Sequence, residues 1–342
     1  MGSGSRRVTA LAGVLIVGGA VAACGGGSSK KAVAPPVVSK SATPTPTPTP
    51  TALGYQPFTG GATGLTNPVL AIKIDNTAPA HPQAGLRSAD VVYVEQVEGG
   101  ETRVMAIFSS QLPAKIGPVR SARISDLHLL KQYGKPAFGF SGVQGKMKPY
   151  IRRAPLFPVP DDGSGGLYVR DNGRPAPYNL FVDPHRLLKK APQATAPRDI
   201  GFRFGPAPAG GRPLASVTAT WPAEKMKFAW SATDKRYLAW HNGTPDQAAE
   251  GGQLGGQTIV IQYAKIVRSQ FHDFLGSYTP LIQSTGTGRA LVLRDGKAYD
   301  TTWSRPSEDR GTTFTTTGGQ PMTFAKGQVW VVLVNAGKPY IP

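Results

Sequence analysis

Acid and cysteine are what this 342-residue chain has least of. Twenty Asp and Glu stand against 38 Lys and Arg, a formal charge of +18, and no acidic residue precedes Tyr55. Such a surplus favours anionic surroundings, although solubility alone is also served by it. With a single cysteine, Cys24, no intramolecular disulfide can form. The five histidines, His81, His128, His185, His241 and His272, show neither metal-ligand spacing nor an H-E-x-x-H pattern, so no metal site is expected. No cofactor is expected either. Gly163-Ser164-Gly165-Gly166 lacks the Gly-Lys-Ser/Thr ending of a phosphate loop, and Gly286-Thr287-Gly288 lacks the third glycine of a dinucleotide fingerprint. A serine nucleophile elbow fails as well, because Val143 stands where Gly139-Phe140-Ser141-Gly142 needs a further glycine.

What is present begins with an export signal. Arg6-Arg7 precede an apolar run over residues 8–23, on the short side for a spanning helix, which ends in Val21-Ala22-Ala23-Cys24-Gly25. Small residues before the cysteine suit a signal peptidase pocket. The Val-Ala-Ala-Cys run resembles a bacterial lipobox, which implies a diacylglyceryl thioether on the Cys24 sulfur and cleavage just before it. Residues 1–23 are then signal peptide, and palmitate-type acyl chains on Cys24, at about 0.8 kcal/mol per buried methylene, hold the mature chain on the outer face of the cytoplasmic membrane. Arg6-Arg7 leave twin-arginine and general export both open. Residues 24–54, with a Thr-Pro repeat over 43–51, cannot build a core and read as an extended spacer.

The rest is long enough for two domains: a mixed α/β domain over 55–190, a Pro- and Gly-rich linker over 191–213, and a smaller, mostly β domain over 214–342, barrel or sandwich-like, an α+β chain overall. Five basic residues precede Tyr55, which leaves 33 basic against 20 acidic in the folded part. On an exported chain the matching anions are lipid head groups, wall phosphates or peptidoglycan carboxylates, with nucleic acid the weaker candidate. In the second domain, short apolar strands are expected over 215–220, 227–231, 237–241, 258–267, 289–294, 298–303 and 328–334. Its five tryptophans, Trp221, Trp230, Trp240, Trp303 and Trp330, are read as core ahead of a sugar-binding surface.

In the first domain a strand over 69–75 ends in Asp75 and Asn76, either a ligand-facing strand end or a self-capped turn. Strands over 90–97 and 102–108 form a hairpin. A two-residue Gly99-Gly100 turn pairs Gln96 with Arg103 and Glu98 with Glu101, and puts Glu95 on the other face beside Val91 and Tyr93. A carboxylate there needs a partner: Arg120 or Arg123, in an anion site or in a structural salt bridge. Both arginines belong to Ile116-Gly117-Pro118-Val119-Arg120-Ser121-Ala122-Arg123, which enters a helix marked by Ile124, Leu127, Leu130 and Tyr133 and stopped by Gly134 and Pro136. Positive charge at a helix start is unfavourable unless an anion is near, so Arg120, Arg123 and a capping Ser121 form a candidate anion site. Asp126 offers Arg123 a local partner and leaves Arg120 without one.

Four runs in the first domain resemble the amino-terminal part of the YerB family of bacterial lipoproteins: Lys73-Ile74-Asp75-Asn76, Glu98-Gly99-Gly100 with Thr102-Arg103, Gly117 to Arg123, and Ala176-Pro177-Tyr178-Asn179-Leu180. Val260-Ile261-Gln262-Tyr263, Gly286-Thr287-Gly288, Trp303-Ser304-Arg305 and Gly327-Gln328-Val329-Trp330 are similar to its carboxy-terminal part, so the resemblance spans residues 60–335. Tyr178 stands where relatives often have His. The resemblance implies an exported, membrane-tethered, two-domain protein and brings no activity with it.

Two functions fit these residues. One is a non-catalytic module that binds an anionic wall polymer or envelope protein through Arg120, Ser121 and Arg123. The other is an envelope hydrolase or transferase in which Asp75, Glu95 or Glu98 acts as acid or base beside Arg103 and the other arginines.

Overall fold

The computed structural model describes residues 53–64, 66–164, 166–273 and 275–337; Cys24 and the spacer lie outside the described residues. Residues 50–342 cluster as one compact unit. Its buried core runs from Phe58 to Val334, so the unit carries its own hydrophobic core.

The first half supplies β1 (Leu70–Asp75), β2 (Val91–Gln96), β3 (Thr102–Phe108), α1 (Ile124–Leu130), β4 (Ala137–Phe140), α2 (Lys148–Arg153), β5 (Phe157–Pro160), β6 (Tyr168–Arg170), β7 (Leu180–Val182) and α3 (Pro184–Lys190). β1 is antiparallel to β3 and parallel to β4, which is parallel to β5. β1 and β3 are buried along their whole length, as strands covered on both faces must be. Asp183 caps α3 by accepting the His185 and Arg186 N–H groups.

The second half does not close into a barrel. Its last strand, Val329–Asn335, runs parallel to β2 on one side and to Thr258–Ala264 on the other, and Gly286–Arg294, Lys297–Arg305 and Thr313–Thr316 continue the same sheet outward. β2 has a free edge whose residues are apolar on both faces, and the equally apolar Val329–Asn335 satisfies it. A smaller sheet, built on Ser216–Thr220, Lys225–Ser231 and Arg236–His241, lies against the large one and gives this half its sandwich-like part. The run over 258–267 is not one strand. The chain leaves the large sheet after Ala264, whose carbonyl is taken by Ala336 N–H, and turns into a separate hairpin of Ile266–His272 and Tyr278–Ile282.

The large sheet thus has two apolar faces. Ile72, Ile74, Val94, Val104, Ile261 and Trp330 meet the small sheet through Val217, Met226, Phe228 and Tyr237. Ala71, Tyr93, Met105, Ile107, Val331 and Leu333 share the other core, with Leu127, Leu130 and Tyr133 from α1 and the short helical turn after it. Each Val, Leu, Ile or Met among them, fully buried, contributes roughly 1.5–3 kcal/mol. Trp221, Trp303 and Trp330 are core, and Trp230 packs against it half-buried. Among the described residues no helix is long and apolar enough to cross a membrane.

Candidate functional site

The hairpin register decides what gathers at the polar end of the sheet. β2 and β3 pair Glu95 with Arg103 and Gln96 with Thr102, one residue away from the register a two-residue turn would give. The connection is a wider loop closed by Val97 N–H on the Glu101 carbonyl, with Gly99 and Gly100 at φ +69° and +78°. Gly100 must be glycine for a second reason: a Cβ there would stand 2.5 Å from Pro222 of the small sheet's first turn. The slip moves Arg103 onto the face that carries Glu95. Lys73 and Asp75 of β1 lie on that same face, since Asp75 pairs with Arg103 and Lys73 with Met105.

Residues 116–123 complete the cluster. Beyond the end of β4 they take its place beside β1, with Asp75 N–H on the Pro118 carbonyl and Arg120 N–H on the Lys73 carbonyl. This brings Arg120 and Arg123 over the charged end of the sheet. α1 then starts at Ile124 with Arg123, not Ser121, as its cap residue, and Asp126 accepts the Arg123 N–H. Ser121 contributes its carbonyl instead, which faces Nη1 of Arg123 at 3.2 Å and Nη1 of Arg103 at 3.4 Å. The Arg123 N–H at the start of α1 is thus taken within the chain.

The carboxylates have partners other than those the sequence suggested. Glu95 is bonded to Lys73, whose Nζ also donates to Asp126 Oδ1 at 2.7 Å, and all three side chains are buried. Burial drives the Glu95 carboxyl up to about 8; the Lys73 charge opposes this and the adjoining Asp126 carboxyl adds to it. Arg123 meets Glu98 through Nε at 2.7 and 2.8 Å, and Thr279 donates to the same carboxylate. Burial raises Glu98, but Arg123 and Thr279 outweigh it and hold the carboxyl below its usual range. Asp75 accepts from Thr77 N–H and Oγ1 through Oδ1, while its Oδ2 lies 2.7 Å from Arg120 Nε, out of line for a hydrogen bond.

Three guanidinium groups remain crowded together. Arg103 is 7% exposed, and its buried Nε has no hydrogen-bond partner. Burial, then the charges of Arg123 and Arg120, push it down to about 10. Arg120 also lies over the Tyr178 ring at 5.8 Å, so the tyrosine walls this arginine. With Glu95 protonated, Lys73, Arg103, Arg120 and Arg123 face Asp75, Glu98 and Asp126 within the cluster. Glu101 is at the exposed rim, its carboxyl raised by partial burial and by Glu224 and Asp75.

Asn76 does not join this cluster. It points to the opposite face, where Nδ2 donates to Thr102 Oγ1 and Oδ1 accepts from Gln83. There His81 Nδ1 lies 2.8 Å from Asp246 Oδ1, its Nε2 lies 3.2 Å from the Asn76 carbonyl, and its ring stacks at 4.4 Å on His241 of the small sheet. Burial lowers His81, but the hydrogen bond and charge of Asp246 reverse the sign and raise it; both ring nitrogens face acceptors, which suits the imidazolium. This second network joins the two halves. A cleft of about 530 Å³ opens elsewhere, lined by Pro158, Val159, Arg186, Lys189 and Lys190, and holds none of the site residues.

Sequence reasoning missed Lys73 as a member of the site. The available signal was its position: a lysine inside Leu-Ala-Ile-Lys-Ile-Asp, in phase with Asp75, is a buried cation in need of carboxylates.

The large sheet with its inserted last strand and the polar cluster at its end define a two-part protein, and family comparison gives it a place. Models described as the N-terminal and C-terminal domains of a protein of unknown function, DUF3048, match residues 58–197 and 217–331. The chain belongs to this two-part, YerB-like family. One relative is the candidate lipoprotein YerB of Bacillus subtilis, 23% identical over 272 residues, which are 78% of this chain and 80% of that one. The crystal structure of B. subtilis YerB matches with a TM-score of 0.68 at 24% identity, over 82% of this chain and 96% of that one, a likeness of fold.

Proposed function

We propose that the protein is an exported, lipid-anchored binding module that takes a carboxylate or phosphate group of an anionic wall polymer or envelope protein against Arg103, Arg120 and Arg123. The observation that carries this is the state of Arg103: a buried guanidinium with an unpartnered Nε, pressed by two like charges. Leaving a buried donor unmade costs about 1–3 kcal/mol, and more for a charged group. An anion entering beside Arg120 relieves both the missing bond and the repulsion. The lipobox-like run ending at Cys24 and the name of the B. subtilis relative support the anchor and the outer-face location.

Binding ranks ahead of the hydrolase or transferase alternative. Glu95 and Glu98 are bonded to cations of the fold, and Asp75 lies against Arg120 with its other oxygen held by Thr77. Such a closed network suits a scaffold for charge better than an acid and base awaiting substrate. Arg120 is the residue to test, because its side chain is 22% exposed and its removal spares the core. Arg120→Ala is expected to weaken binding to isolated wall material and to soluble polyphosphate by about tenfold or more, since a bond to a charged group contributes about 1.5–3 kcal/mol. Equal binding by the variant refutes the assignment.

A further inference from the structure

α2 and the hairpin Ile266–His272/Tyr278–Ile282 form a surface whose chemistry the core does not use. Gln270 Nε2 donates to Tyr150 Oη at 2.8 Å, Gln144 Nε2 donates to the His272 carbonyl at 2.6 Å, and Tyr150 stands edge-on to Phe271 at 5.4 Å, so α2 is packed against the hairpin, whose Arg268 and Tyr278 lie on the face opposite Phe271. Four large apolar side chains are exposed among the described residues, and three of them are here: Tyr150 at 42%, Tyr278 at 54% and Leu275 at 76%. Around them stand Lys146, Lys148, Arg152, Arg153 and Arg268, all exposed and none in an ion pair. Arg153 lies over Tyr150 and Arg268 over Tyr278, at 5.9 and 4.8 Å. The acidic residue of the hairpin, Asp273, turns its carboxylate onto its own loop, accepting the Leu275 and Ser277 N–H groups.

We propose that this surface docks on anionic lipid head groups and lays the folded unit against a membrane. Cations interleaved with aromatic rings and a projecting leucine are what the boundary between head groups and acyl chains selects: the cations meet phosphates while the rings and Leu275 enter the interface. A soluble polyanion satisfies the charges but gives Leu275 and Tyr278 nothing to bury against, which favours the lipid surface. The 28 residues between Cys24 and Leu53 reach at most about 100 Å, so a lipid anchor at Cys24 leaves the unit free to lie down. The proposal adds to the anchor and does not depend on the arginine cluster.

The test uses residues 50–342, the unit with its own core, which lacks both Cys24 and the apolar signal. It is sedimented with vesicles of phosphatidylcholine alone and of phosphatidylcholine with 30% phosphatidylglycerol. Binding is expected to the anionic vesicles, to be weaker by about tenfold on neutral ones, and to fall as salt rises. The surface variant Lys148→Glu/Arg152→Glu/Arg153→Glu is expected to lose about tenfold or more, and Leu275→Ser several-fold at unchanged charge. Equal binding to neutral vesicles, full binding by the triple variant, or binding to polyphosphate without binding to vesicles each overturns the proposal. Arg120→Ala separates the two sites: retained vesicle binding places it on α2 and the hairpin, and lost vesicle binding overturns that placement.

Discussion

Glu95→Gln offers the sharpest check on the electrostatics of the cluster. Lys73 is wholly buried between Glu95 and Asp126, and one negative charge is enough to balance it. The Glu95 carboxyl, raised by burial from near 4.5 to about 8, holds its proton at neutral pH in the folded state and loses it in the unfolded one. The folded chain then binds the extra proton, so stability falls as pH rises from about 4.5 to about 8 and is level above that. At pH 7 the gap amounts to about 3 kcal/mol, and at pH 5 to less than about 1 kcal/mol. Glutamine mimics the protonated carboxyl and titrates nowhere. Urea denaturation is therefore expected to find Glu95→Gln close to the parent at pH 5, more stable by up to about 3 kcal/mol at pH 7, and with a flatter pH dependence between them. A variant that loses about 2 kcal/mol or more at pH 7, or that keeps the parent's pH slope, refutes a protonated Glu95.

The same network predicts coupling. Asp126→Asn removes the counter-charge of Lys73 and the partner of Arg123 N–H, but Glu95 can ionise in its place, so a loss of about 1–3 kcal/mol is expected in urea melts. Adding Glu95→Gln leaves Lys73 buried and unpaired, and the double variant is expected to lose about 3–5 kcal/mol, more than the two single changes together; simple additivity contradicts the shared-charge account. For the anchor, Cys24→Ser is expected to move the protein from the membrane fraction to an uncleaved or soluble form, and unchanged retention with normal processing contradicts lipidation at Cys24.

Most strands of the large sheet were legible because apolar alternation and the turn residues between them are local signals. β1, β2 and β3 all fall within a residue or two of the expected ranges. The hairpin register was not legible. Gly-Gly permits either a tight turn or the wider loop, and the loop that forms packs against a turn more than a hundred residues away, where Ala223 N–H bonds the Gly100 carbonyl. That one-residue difference assigned Glu95 to an arginine when its partner is Lys73. Residues 116–123 were singled out by misplaced charge, but the helix starts two residues later than a Ser121 cap requires: Arg123 is the cap residue and its N–H goes to Asp126. Of the barrel and the sandwich left open for the second half, the barrel does not form for a related reason: strand patterns say which residues form strands, not which edge they join, and Val329–Asn335 pairs with β2 as well as with Thr258–Ala264.

That last strand has a consequence for how the chain comes into being. Synthesis delivers β2 some 230 residues before the segment that will lie beside it, so through nearly the whole of translation the first half carries an open, apolar ladder with no neighbour. The two family domains are consecutive in sequence, but their strands join in one sheet only through this strand. A chain cut short before Val329 leaves both halves unfinished, which makes the carboxy-terminal residues a checkpoint on the integrity of the whole molecule.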